Sequence, residues 1–421
     1  MDVHHLSCVK GHSERIWSVC WSPVDDIFAT CSSDCSVKIW RITRSSNSHV
    51  KKGHLCSSYD PGCCSEYNIE LEASIDNYFK KTVRSVRFSN DGAYLICASF
   101  DGTATIWSRV PQKSGGSDVI NSCSSNIAYL WSCVCVLEGH ENEVKCASFD
   151  CTGTYVATCG RDKTIWIHQR SSSTPGDTSD IVRSLSGTEG SIDFYCAAIL
   201  TSHSQDVKCV SWSPTALLLV SGSYDNSIRL WGLVGQDWSC IQTINIHAST
   251  VWSISFDVDG TRFAAVSADR SLSLFKSSKA AAYLEQLNAT QRQVSCPSAI
   301  MKLSPLDTRL SHELSLRSQA MSSYQLSNPL IADDWQPFQV IESYSSRALY
   351  SVNFCKFVIT GGGDNTVRIM YPGSNASSQR IEFRAHNSDV NGVCGKPMTL
   401  AIYFSPWRRR VHKVGSWSHR Y

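Results

Sequence analysis

A histidine and an aspartate recur at one fixed interval, and no other feature restricts the fold of this chain so tightly. Asp34 lies 22 positions after His12, and the same interval separates His140 from Asp162, His203 from Asp225 and His247 from Asp269. Around each pair the order is the same: a strand (Ile16 to Trp21, Val207 to Trp212), a Ser-Pro or Asp-Gly turn, a second strand, the Asp, and a third strand. The alternation of side chains predicts period-two β-structure throughout. An internal repeat of this kind decides the architecture before any local reading can.

Two degenerate units fill the middle of the series. Phe79 stands in the histidine position before Asp101 and Trp107, and Ser345 does so, at a shorter interval, before Asp364; a further unit starts at His386. Each unit runs to roughly 40 to 45 strand-rich residues, the length of one four-stranded propeller blade. The units resemble WD40 repeats, and the predicted fold is all-β, a seven-bladed WD40 β-propeller forming one domain over residues 1–421. The expected blades are 12–75, 79–136, 140–200, 203–244, 247–341, 345–383 and 386–421, the last taking its outer strand from residues 5–10. Between or within them, 44–65, 108–126, 171–191 and 277–334 are Ser-rich, low in aromatic residues and without period, so they are expected to be insertions rather than extra domains.

In WD40 proteins a loop His, a strand hydroxyl, the turn Asp and a strand Trp form a buried hydrogen-bond chain. Carried onto this sequence, complete sets are His12, Thr30, Asp34, Trp40 and His203, Ser221, Asp225, Trp231. The pairs His140 with Asp162 and His247 with Asp269 belong to incomplete sets, because His168 and Phe275 stand where Trp is expected. A Ser, His, Asp grouping also suggests a catalytic triad, but in a repeated array these residues satisfy one another's buried polar groups. No catalytic residue is assigned, and the chain is read as a non-enzyme.

Composition narrows the partners. A formal net charge of +2 provides no general field for nucleic acid or an anionic membrane. The 20 cysteines could suggest a secreted disulfide scaffold, but Met1 to Val9 has no apolar run of signal-peptide length and no later stretch is long enough to span a bilayer. A reducing compartment, the cytoplasm and also the nucleus, is therefore expected, with most thiols free. Cys56, Cys63 and Cys64 near His49 and His54 superficially resemble a metal site, yet no Cys-x-x-Cys occurs. No metal and no cofactor are assigned. Cys31 and Cys159 occupy positions where a small buried residue is wanted. Gly361, Gly362 and Gly363 precede Asp364 as a tight turn, with neither the Lys-Ser/Thr nor the helix of a phosphate loop.

Two positions per blade are expected to face the top of the ring. The residue after the first apolar position of the inner strand gives Trp17, Arg84, Lys145, Lys208, Trp252, Tyr350 and Asn391; the residue before the turn Asp gives Ser33, Phe100, Arg161, Tyr224, Ala268 and Gly363. The arc of Arg84, Lys145, Arg161 and Lys208 beside Tyr224 and Trp252 suits an acidic, aromatic or carboxylate-ended peptide. The same mixture would suit single-stranded nucleic acid, but no wider basic surface accompanies it.

The wording of the repeats resembles one WD40 family in particular. LEGHENEVK (Leu137 to Lys145), ATCGRDKTIWI (Ala157 to Ile167), SHSQDVKCVSWSP (Ser202 to Pro214), SGSYDNSIRLW (Ser221 to Trp231) and HASTVWSISFD (His247 to Asp257) are similar to the WD40 subunit of the cytosolic iron-sulfur protein assembly (CIA) targeting complex. The resemblance covers blades one to five well and blade six weakly. It implies a scaffold that works with a small adaptor subunit and a large helical-repeat scaffold subunit to hand iron-sulfur clusters to cytosolic and nuclear apoproteins. It also implies that the exposed arginine of the RDK segment, Arg161, is functional. Some members carry a Leu-Tyr-Arg tripeptide linked with chaperone docking; Leu230, Trp231 and Gly232 stand here, which puts that docking in doubt. The alternative of a ubiquitin-ligase substrate receptor would call for a Trp-Asp-x-Arg box, and Trp40-Arg41, Trp107-Ser108, His168-Gln169 and Trp231-Gly232 lack it.

After Val390 the last repeat loses its Asp and Trp and runs into Trp407, Arg408, Arg409, Arg410, Val411, His412, Lys413, Val414. Those codon classes read one base later permit Gly, Asp, Asp, Gly, Ser, Ile, Lys, Leu, a good repeat turn and strand, so a shifted reading frame near residue 395 or a splice variant is expected. With the frame as it stands, Thr399 to Ser405 and Arg410 to Trp417 must serve as the last strands.

Overall fold

The computed structural model describes residues 2–44, 67–111, 129–171, 192–282, 285, 334–372, 380–384, 389–396, 400–404 and 412–418. His386, the Cys56, Cys63 and Cys64 group, and most of the four Ser-rich segments lie outside them.

The described strands pair, antiparallel, into seven four-stranded sheets. Six are built from strands consecutive in the chain, as in Ile16–Trp21, Ile27–Ser32, Val37–Arg44 and Tyr67–Ile75. The remaining sheet joins Gly392–Lys396, Leu400–Phe404 and His412–Ser418 to the amino-terminal Asp2–Val9. Its outer strand thus begins at Asp2 rather than His5, with Asp2 opposite Ser418 and Val9 opposite His412. The strand Ala104–Pro111 also runs past residue 108, where an insertion was expected to start.

Apolar clusters fill every wedge between neighbouring sheets. Ile39 and Val37 meet Val86 and Leu95 between the first two, Ile359 and Val367 meet Val390 and Val393 between the sixth and seventh, and Cys394 packs with Ile16, Val19 and Trp21 to join the seventh to the first. This arrangement is a closed β-propeller. It corrects one sequence expectation, that of period two throughout. Ile27–Ser32, Leu219–Ser223 and Val358–Gly362 are buried at every residue, because a blade between two blades has no solvent face and both sides of its second strand must be small or apolar. Alternation survives in outer strands such as Tyr67–Ile75.

Two local devices repeat around the ring and position the top-face residues. The residue after each turn Asp has a left-handed backbone: Cys35 (φ 62°), Gly102 (96°), Lys163 (71°), Asn226 (68°), Arg270 (73°) and Asn365 (67°). In each of the six inner strands the register then shifts by one residue at its start, between Ile16 and Ser18, Val83 and Ser85, Val144 and Cys146, Val207 and Cys209, Val251 and Ser253, and Leu349 and Ser351. A bulge of this kind re-aims the extra residue.

The long segment 277–334 is pinned at its base. The Asp334 carboxylate accepts from the Ser277 hydroxyl, from Ser278 Oγ at 2.9 Å and from Lys279 N at 3.0 Å, while Trp335 is buried against Phe256 and Phe263.

Candidate functional site

The repeated polar network comes first, because it holds the loops that carry the top face. His12 Nδ1 lies 2.9 Å from Asp34 Oδ2 and its Nε2 lies 2.8 Å from Thr30 Oγ1, which in turn accepts from Trp40 Nε1 at 3.0 Å. In the fourth sheet His203 lies 2.8 Å from Asp225 and 2.7 Å from Ser221, which accepts from Trp231 at 2.8 Å. His140 reaches Asp162 at 2.6 Å and Thr158 at 2.8 Å, but His168 takes the Trp position, and Trp166 donates to Thr164 instead. His247 reaches Asp269 at 3.1 Å, yet Ala265 offers no hydroxyl and Nε2 is left without a partner; Phe275 stacks on Phe263 nearby.

The sixth sheet solves the same problem differently. Arg368, only 3% exposed, pairs with Asp364 and, at 2.7 Å, with Glu382, and Ser345 Oγ donates to Asp364 at 2.6 Å. The second sheet has no histidine, and Phe79 packs with Tyr78 and Trp107. Burial raises the carboxyls of Asp34, Asp225 and Asp269, but hydrogen bonds from the histidine, the turn serine and backbone N–H groups, with the charge of the histidine, together outweigh it and hold them well below the ordinary range.

The turn residue and the bulge residue of each blade meet at the top. The backbone N–H before each turn Asp donates to the loop preceding the inner strand: Ser33 to Arg15 O (2.8 Å), Phe100 to Thr82 O (2.9 Å), Arg161 to Glu143 O (3.0 Å), Tyr224 to Asp206 O (2.8 Å), Ala268 to Thr250 O (2.9 Å) and Gly363 to Ala348 O (2.9 Å). Side chains of the two sets therefore stack on one another, both within a blade and across blade boundaries. Arg84 lies over the Trp17 ring at 4.7 Å, Lys145 over Phe100 at 4.0 Å, and Lys208 over Tyr224 at 5.1 Å and Trp252 at 5.5 Å. Trp252 meets Tyr350 edge-on at 5.7 Å, Trp17 Nε1 donates to Ser33 Oγ at 2.8 Å, and Asn391 Nδ2 donates to Ile16 O at 3.3 Å. Trp252 Nε1 is buried without a hydrogen-bond partner.

Three participants were not read from the sequence. Glu143 lies 3.3 Å from both Arg161 and Lys145, Asp206 accepts from Lys208 at 2.9 Å, and Arg15 sits on Trp17 at 4.9 Å. The two acids carry a usable signal, the spacings Glu-x-Lys and Asp-x-Lys at the start of a strand, which place both charges on one side. Burial pushes the Glu143 carboxyl up, and Lys145 and Arg161 more than offset it, so the group lies below its ordinary value. Burial lowers Lys145 despite Glu143. Arg161, 59% exposed at its side chain, and Tyr224, 55% exposed, are left as the accessible members.

Closed sheets, turn Asp residues at a fixed spacing from loop histidines, and a crowded top face define the WD40 class of β-propellers. The family profile described as WD domain, G-beta repeat matches residues 4–41, 71–108, 131–169, 194–232 and 238–276. The chain is 30% identical over 319 residues to the probable cytosolic iron-sulfur protein assembly protein 1 of Vanderwaltozyma polyspora, an alignment covering 66% of this chain and 86% of that one. It is 30% identical over 321 residues to the protein of that name from Pyricularia oryzae, covering 70% and 67%. With the one from Mycosarcoma maydis it shares 34% over 178 residues, so that the match spans 37% of the relative's length. The chain belongs to the cytosolic iron-sulfur protein assembly protein 1 family.

Among the described residues, no group of three or more His, Cys, Asp or Glu side chains is placed to hold a metal ion, and no helix is long and apolar enough to cross a membrane.

Proposed function

We propose that this protein is a non-catalytic, seven-bladed scaffold of the cytosolic iron-sulfur assembly machinery, working in the cytoplasm and serving nuclear clients as well. It binds an adaptor subunit and a large helical-repeat subunit and presents iron-sulfur apoproteins through its top face, without nucleic acid or membrane. The observation that carries the reading is Arg161, exposed and sharing Glu143 with Lys145 in the segment through which the chain resembles its family. The relatives' names supply the pathway. Arg84, Lys145, Lys208, Trp17, Phe100, Trp252 and Tyr350 form the remainder of the surface, which suits an acidic or carboxylate-ended peptide because cations and aromatic faces alternate along it.

The experiment is an affinity pull-down of the tagged protein from its own cell extract, wild type beside Arg161→Glu, with partners identified by mass spectrometry. The expected result is recovery of both subunits by each form and loss of the apoproteins from the variant. Ubiquitin-ligase subunits in place of these, or an unchanged set with Arg161→Glu, would overturn it.

A further inference from the structure

The central channel has a charge pattern that the top-face reading does not use. Its upper cavity, about 110 Å³, is lined by Arg84, Arg87, Lys145 and Lys208 and by no Asp or Glu among the described residues. Arg87 also borders the lower cavity of about 280 Å³, which puts it at the waist between the two. Lys145 and Lys208 have their carboxylates in Glu143 and Asp206. Arg84 has the Trp17 face, and no described carboxylate forms an ion pair with either Arg84 or Arg87.

Hydrogen bonds between blades deepen the imbalance. Ser253 Oγ accepts from Val352 N at 3.2 Å, Ser351 Oγ accepts from Val393 N at 3.1 Å, and Asn353 Oδ1 accepts from Gly395 N at 3.0 Å. Each polar side chain thereby spends one lone pair on the neighbouring blade and keeps an O–H or N–H donor free to turn to the channel. All three residues line the upper cavity. Guanidinium forks and hydroxyl donors around a small, partly open space match the tetrahedral oxygens of an anion. A space of about 110 Å³ admits an oxyanion of a few heavy atoms together with some water.

We propose that the channel binds one small multivalent oxyanion, of the phosphate or sulfate class, between Arg84 and Arg87 with Ser253, Ser351 and Asn353 as neutral donors. The anion supplies the negative charge that the ring itself does not place there, and it bridges the second blade to the fifth and sixth across the channel.

The test uses the full chain. Its thermal midpoint is followed as sodium phosphate is titrated against sodium chloride at equal ionic strength, and the phosphorus NMR line of phosphate is measured in parallel. The expected result is a saturable rise in midpoint and a broadened line for the wild type and for Lys276→Gln, a cation outside the channel. Arg87→Gln weakens the binding about tenfold or more, as loss of a charged hydrogen-bond donor does. Arg84→Gln weakens it as well, and Arg87→Lys, which keeps the charge but not the fork, falls between. Arg87→Gln removes a half-buried charge without a described carboxylate partner, so in chloride it should melt no earlier than the wild type. If channel thiols such as Cys20 and Cys146 serve as counter-ions in thiolate form, phosphate leaves the wild type unchanged and the proposal fails. It fails equally if all the variants respond like the wild type.

Discussion

Arg161 extends its guanidinium to Glu143, with Nη1 3.3 Å from each carboxylate oxygen, so the exposed cation of the top face is already partly answered from within the same blade. An ion pair this exposed contributes less than about 1 kcal/mol to stability. Glu143→Gln should therefore leave the urea midpoint almost unchanged while tightening the binding of an acidic peptide several-fold, as read by fluorescence anisotropy. Weaker binding in this variant would move the peptide away from Arg161.

The fifth sheet lacks the hydroxyl that its histidine would bond. Ala265→Ser places an Oγ where Ser221 stands in the fourth sheet, within reach of the unpartnered His247 Nε2. A gain of about 1 kcal/mol in unfolding free energy is expected from the new buried bond, and Ser221→Ala in the fourth sheet should lose about 1–3 kcal/mol. Chemical denaturation of the three proteins decides both; a loss for Ala265→Ser would mean that Phe275 leaves no room for the oxygen.

His168 makes stability depend on pH. Burial, with His140 beside it, lowers His168 from 6.5 to about 4, so the unfolded chain binds the proton first. The neutral ring's contribution is complete above about pH 6.5 and is lost as pH falls toward 4, with a limiting slope of about 1.4 kcal/mol per pH unit. His168→Phe should flatten that window. The depressed aspartates Asp34, Asp225 and Asp269 act lower down: their contribution is present above an unfolded value of about 3.9 and disappears as pH falls below it. Thermal midpoints of the wild type and His168→Phe between pH 4 and 7 give the comparison.

Removing residues 2–9 strips the outer strand from the seventh sheet and leaves His412–Ser418 as an open edge. Open edges recruit other strands. The truncated chain should elute as higher oligomers in size-exclusion chromatography, whereas a monomer of unchanged midpoint would show that the pairing contributes nothing.

The reading frame near residue 395 is a separate matter. Leu400–Phe404 and His412–Ser418 supply the middle strands of the seventh sheet without a turn Asp. Independent transcripts should carry the shifted frame with Gly, Asp, Asp, Gly in place of Trp407 to Arg410; an unbroken frame through Tyr421 in every clone would remove the idea.

Much of the ring was legible because a hydrogen-bond chain imposes a spacing. His12 and Asp34 must stand 22 residues apart to meet across a loop and two strands, and the interval is visible wherever both residues are present. It fails where chemistry is substituted. Arg368 takes over a histidine's task from a position on the third strand, and nothing in the spacing of Ser345 and Asp364 announces it. The top-face positions followed from the repeat, but the bulge that turns Trp17 and Lys145 upward is a backbone event with no residue of its own. Glu143 and Asp206 stand one residue ahead of the inner strand, outside both repeated top-face positions, so the repeat alone does not mark them as partners of Lys145 and Lys208.

The sheet that unites Asp2–Val9 with His412–Ser418 also sets a schedule for assembly. The strand Asp2–Val9 waits for His412–Ser418, and among the described strand pairings theirs spans the greatest sequence separation. During synthesis the early blades collapse on one another while the wedge beside Ile16 and Val19 stays open, since Cys394, which fills it, has yet to emerge. A nascent chain of this design carries a sticky, unfinished flank until Cys394 has emerged, and slow, non-local closure of that kind favours misassembly over speed. Whatever shields that flank in the cell acts on the growing chain, before there is a ring to serve anyone.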